Sequence, residues 1–116
     1  MKFWDLNVYQ KLLALHLEVH DISLEFPKFE TYELGSQIRR SSNACAAILA
    51  EAFGNKHTNI YTEGISRSQG EIQESIHHLT VACRKKYITD VKLKELVSRY
   101  EECVKMLAGL NKALKA

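Results

Sequence analysis

The chain has 116 residues, with 16 Lys+Arg against 14 Asp+Glu for a formal charge of +2, and 46% of it is hydrophobic. That balance excludes an intrinsically disordered chain, which combines few apolar residues with a large net charge. One proline and five glycines exclude a turn-rich β-sandwich, and the length suits one domain over residues 1–116, large enough to sustain a core without staples.

Four segments carry helical periodicity. In the first, Val8, Leu12, Leu15, Val19, Ile22 and Phe26 recur at steps of four and three, which keeps them on one stripe of a helix. A second stripe, Leu6, Tyr9, Leu13, Leu17 and Leu24, lies beside it. So broad an apolar face exceeds the needs of one bundle core, which makes Leu13 and Leu17 candidates for a contact between subunits. Pro27 ends the segment, because it lacks an N–H and disfavours α geometry at Phe26.

The second segment spans about Tyr32 to Phe53, with Leu34, Ile38, Cys45, Ile48, Leu49 and Phe53 facing inward. Ser41, Ser42, Ala44, Ala46, Ala47, Ala50 and Ala52 make it rich in small side chains that admit a close neighbour. Arg40, Ala44, Ala47 and Glu51 share a further stripe. It suits close approach of another helix, an ion-paired contact with a neighbouring chain, or a salt bridge at the core edge. Gly54-Asn55 reads as a stop, where either residue can turn left-handed.

The third segment begins near Thr58 or Asn59, with Thr58 as a plausible cap, and continues to about Lys86. Tyr61, Ile65, Ile72, Ile76, Leu79 and Cys83 form its stripe, and Gly64 and Gly70 mark places for a fray or kink. Thr89 or Asp90 can cap the fourth segment, which buries Leu93, Leu96, Tyr100, Cys103, Leu107, Leu110 and Leu114. Short connections make sequential helices antiparallel neighbours. The expected fold is all-α, an up-down-up-down antiparallel four-helix bundle.

The N-terminal residues lack the apolar run and cleavage site of a secretory signal, and no stretch approaches the ~18–20 apolar residues that span a bilayer. Cys45, Cys83 and Cys103 are odd in number and widely spaced. That pattern suits buried thiols in a reducing cytoplasm.

A metal centre has little support. A bundle dimetal site needs two Glu-x-x-His pairs, and Glu74-Ser75-Ile76-His77 is a single copy. His16 and His20 lie four apart on one helix face, but the intervening glutamate is misplaced for a zinc-protease helix. No nucleophile elbow or glycine-rich phosphate loop occurs. The expectation is a protein with no enzyme activity, metal, cofactor or small-molecule substrate.

Basic residues cluster at Arg39-Arg40, Lys56 and Arg84-Lys85-Lys86, the candidate phosphate contacts. From Asn59 onward, ten Lys/Arg stand against seven Asp/Glu. Phosphate binding needs such clustering, yet Glu71, Glu74, Glu101 and Glu102 interleave, so ordinary solvated helix faces explain the pattern equally well.

Phe26-Pro27-Lys28, then Tyr32-Glu33-Leu34-Gly35-Ser36-Gln37-Ile38-Arg39-Arg40, then Ala50-Glu51-Ala52-Phe53-Gly54 resemble the four-helix-bundle proteins encoded in 23S ribosomal RNA intervening sequences. Tyr87-Ile88 and the run from Leu107 to Leu114 extend the likeness over nearly the whole chain. The chain differs at Ala46, Ile48 and Ala52, where the family commonly has proline, asparagine and glycine, which predicts a straighter second helix. The resemblance implies a small bacterial cytoplasmic protein assembling as a homopentamer. It also implies kinship with the accessory variability protein of diversity-generating retroelements, which assists a reverse transcriptase and is thought to bind nucleic acid. RNA or a ribonucleoprotein is therefore the expected partner, and a protein-binding scaffold without nucleic-acid contact is the alternative.

Overall fold

The computed structural model describes all 116 residues. Four helices, α1 (Asn7–Leu24), α2 (Leu34–Ala52), α3 (Thr58–Arg84) and α4 (Asp90–Lys115), are accompanied by 3-10 turns at Phe3–Asp5 and Lys28–Glu30. Each helix packs against its neighbours in sequence, and α4 closes the bundle by packing on α1. The up-down-up-down antiparallel arrangement expected from short connections is therefore present. No helix is long and apolar enough to cross a membrane.

The bundle is 45 Å long. One end, the terminal end, holds both chain termini and the α2–α3 connection. The other, the linker end, holds the α1–α2 and α3–α4 connections.

The core follows the periodic stripes. Leu12, Val19, Ile38, Leu49, Ile65, Ile72, Leu79, Leu96 and Leu107 are fully buried at the junction of the four helices. Burying each such side chain is worth roughly 1.5–3 kcal/mol before the entropy of ordering is subtracted. The second stripe of α1 divides: Leu6 and Tyr9 pack against the core, whereas Leu17 and Leu24 stand exposed.

Helix ends show where local chemistry governed. Gly54 adopts the left-handed conformation after α2. The Thr89 hydroxyl accepts the Lys92 N–H at 3.1 Å and caps α4. Thr58 does not cap α3: it is the first helical residue and His57 precedes it, its own N–H held by Asn55 Oδ1 at 2.9 Å. Helix α2 starts two residues later than its pattern suggests, because Lys28–Glu30 forms a separate turn. It then runs unbroken through Ala46 and Ile48, in keeping with a regular helix. Gly70 and Gly64 leave α3 continuous.

Candidate nucleic-acid interface

Glu30 organises the linker end. It lies on the 3-10 turn between α1 and α2 and is fully buried. Its carboxylate accepts the Lys85 ammonium at 2.9 Å and the Tyr87 hydroxyl at 2.8 Å, with the Leu34 N–H more distant at 3.5 Å. These donors, Lys85 first, hold the Glu30 carboxyl below its usual range despite burial. The Phe26 and Tyr87 rings stack obliquely at 5.2 Å beside it. One anion thus ties the α1–α2 turn to the α3–α4 turn across 55 residues of sequence.

The α3–α4 turn is built on Lys86, the only non-glycine residue with positive φ, at 72°. The Lys86 N–H reaches Cys83 O and the Tyr87 N–H reaches Ala82 O, the two bonds of a Schellman cap. Glycine is the usual occupant of that position, because a Cβ there costs roughly 1–2 kcal/mol. Here a lysine occupies it and projects its charge from an exposed position.

The structure divides the six candidate phosphate contacts. Arg84 and Lys86 are exposed on the linker end and stand outside every ion pair of the chain. Lys85 is committed to Glu30 but keeps 47% of its side chain exposed. Arg39 donates to Ser23 Oγ at 3.0 Å and to Thr31 O at 2.6 Å, so it braces the same end without being neutralised. Arg40 points elsewhere, to Glu71 at 3.4 Å and more closely to Glu74, both on α3. Lys56 is exposed in the α2–α3 connection at the terminal end, away from the others.

The candidate subunit-contact residues occupy outward positions. Ala47 and Glu51 are exposed on α2, Ala44 is half-buried there, Leu13 is half-buried on α1, and Leu17 is 57% exposed. The Arg40 pairing realises one of the three options for its stripe, a salt bridge at the core edge between α2 and α3.

The thiols and imidazoles are quiet. Cys45, Cys83 and Cys103 are all free and buried. Burial pushes Cys45 up to about 12 and Cys103 up to about 11, whereas a reactive thiol needs the opposite shift. Cys83 donates to Asp90 Oδ1 at 3.1 Å, and that bond, with burial second, also raises it. His16 Nδ1 is engaged with Ser42 Oγ at 2.8 Å. Glu74 lies 3.5 Å from His78 rather than serving the His77 of its Glu-x-x-His spacing. No three His, Cys, Asp or Glu side chains are arranged to hold a metal ion. A cleft of about 210 Å³ between α2 and α3 is lined by Glu30, Glu33, Gln37, His77 and His78, but its buried carboxylate, Glu30, is already taken by Lys85 and Tyr87.

Sequence reasoning missed Glu30 and Tyr87. Glu30 lies in a polar stretch with an exposed pattern, and its partners are 55 and 57 residues away, so no local signal marks it.

An antiparallel four-helix bundle with buried thiols, whose linker end carries the unpaired Arg84 and Lys86, defines a class of small all-helical proteins. Residues 4–109 match the family model described as 23S rRNA-intervening sequence protein. The chain therefore belongs to that family. Among solved structures, it is similar to a protein of unknown function from the S23 ribosomal protein family of Bacteroides thetaiotaomicron. The two are 22% identical with a TM-score of 0.77, over 90% of this chain and 98% of the other. No curated protein matches the chain.

Proposed function

We propose that this protein is a single-domain, non-enzymatic, homo-oligomeric bundle of the bacterial cytoplasm that binds RNA through its linker end. Arg84 and Lys86 are the principal phosphate contacts, and Arg39 and Lys85 add charge beside them. Arg40, in its carboxylate pair, and Lys56, at the terminal end, lie outside this group.

The observation that carries the reading is Lys86. A lysine held left-handed in a glycine position sacrifices stability for an exposed cation, and strain of this kind concentrates at functional sites. The family's tie to ribosomal RNA genes supports the same partner class. A salt titration of RNA binding is the test. Affinity should fall steeply with salt, and Arg84→Ala and Lys86→Gly should each reduce the slope by about 1. Absence of binding at low salt would end the proposal.

We propose a pentamer, on the family likeness, with Leu13 and Leu17 of α1 and Ala44, Ala47 and Glu51 of α2 at subunit contacts. Light scattering that finds a monomer at micromolar concentration would remove this part. Exposed Leu17 and Leu24 also favour a second reading, a protein-binding scaffold with no nucleic-acid contact.

A further inference from the structure

Two large rings stand free at the linker end. Tyr32 is 91% exposed and Phe29 is 68% exposed, and they lie on either side of Glu30 in sequence. Glu30 itself is buried and clamped to Lys85 and Tyr87, so the segment bearing the rings is anchored beside the α3–α4 turn. Arg39 fastens the same segment from α2 through Thr31 O. The rings therefore flank a fixed point, next to the turn that carries Arg84 and Lys86.

Charge at this end has one sign in excess. Residues 25–39 and 84–94 together hold seven Lys/Arg and four Asp/Glu. Glu30 is buried against Lys85, and Lys92 is paired with Glu18 and Glu95, so five cations without a carboxylate partner, Lys28, Arg39, Arg84, Lys86 and Lys94, stand against three exposed acids. Lys28 adjoins the rings and is exposed.

We infer that the RNA bound at this end is unpaired, with bases stacked on Tyr32 and Phe29 and phosphates on Lys28, Arg84 and Lys86. The inference rests on the RNA-binding reading and narrows its substrate class. A duplex buries its base faces inside the stack and offers only phosphate and sugar to a surface of this kind. Exposed rings gain nothing from such a ligand. Unpaired bases present π-faces, and rings bordered by cations are how proteins hold single strands without reading sequence. An acidic protein segment would satisfy the cations but leave both rings unused.

The test compares an oligouridine strand, an RNA hairpin duplex and an abasic strand of matched length, each at low salt. Wild-type protein should prefer oligouridine to both others. Tyr32→Ala should weaken oligouridine binding roughly five- to hundredfold, the range for loss of one stacked base, and Phe29→Ala should weaken it similarly. Tyr32→Phe should retain the affinity, because the ring face survives. Unchanged helical circular dichroism confirms that these exposed substitutions leave the fold intact. Equal binding of abasic strand and oligouridine, or indifference to Tyr32→Ala, overturns this inference alone and leaves a phosphate-only site. No binding of any RNA by wild type overturns the underlying reading as well.

Discussion

A Cβ built on Gly64 of α3 would lie 2.2 Å from the Cβ of Ala52 on α2. No two non-bonded carbon atoms tolerate that separation, so the crossing of these helices near the terminal end depends on the absence of a side chain at position 64. Small residues at a helix crossing permit close backbone approach, and Gly64 and Ala52 together set its depth. The same arrangement explains a glycine that helix propensity alone disfavours by about 1 kcal/mol relative to alanine.

Gly64→Ala should therefore destabilise the fold by about 1–3 kcal/mol, although alanine is the better helix former. Ala52→Gly in the same chain should restore much of the loss, since the next atom, Ala52 Cα, would lie at an ordinary 3.7 Å. Urea denaturation of both single variants and the double variant measures the coupling. Additive effects would show that the helices do not meet as described.

Lys86→Gly separates stability from binding. Removing the left-handed Cβ should raise stability by about 1 kcal/mol, while loss of the charge weakens RNA binding. Lys86→Ala, which retains a Cβ, should lose affinity without the gain in stability. Thermal melts and binding isotherms on the same preparations decide both points.

Tyr100 is fully buried, and its hydroxyl lies near Ser75 without a hydrogen bond of good geometry. Burial raises its pKa, so the group stays a neutral phenol. The Ser41 and Ser75 hydroxyls nearby in the core satisfy each other at 2.9 Å. Tyr100→Phe should therefore be neutral or stabilising by up to about 1 kcal/mol, because a buried hydroxyl without a well-formed hydrogen bond costs more than it returns. A loss in the denaturation midpoint would mean that the hydroxyl is bonded in solution.

Acid should weaken the fold in two stages. Burial holds His16 and His78 below the ordinary imidazole value, so the unfolded chain takes up more protons as pH falls through about 6.5. Stability then declines from near neutrality downwards. Glu18, bonded to Lys92 and Arg99, and Glu30, bonded to Lys85 and Tyr87, are held below the usual carboxylate range. Their contribution is complete above the unfolded value of about 4.3 and is lost as pH falls through their lowered folded values. Denaturant midpoints across this range should show both stages, with Glu30→Gln flattening the lower one. A midpoint that rises between about pH 7 and pH 5 would contradict the assignment.

The repeat of apolar residues was sufficient for four helices, their order and most of the core, because helical periodicity is a local property of about one turn. Val8, Leu12, Leu15 and Val19 needed no partner to declare their face. The stop at Gly54 and the cap at Thr89 were legible for the same reason. The basic residues could be named from sequence, but not sorted. Arg39 and Arg40 are adjacent, yet about 100° of helical turn sends one to the α1–α2 connection and the other to α3. Lys85 and Lys86 are adjacent too; one closes on a buried carboxylate and the other projects into solvent. Which cation is neutralised depends on how each helix is rotated against the next, and that register is set by packing between residues far apart in the chain. The modest +2 was a property of the sequence, whereas the placing of the unpaired Arg84 and Lys86 at the linker end, in a turn anchored beside two exposed rings, was decided only when the helices met.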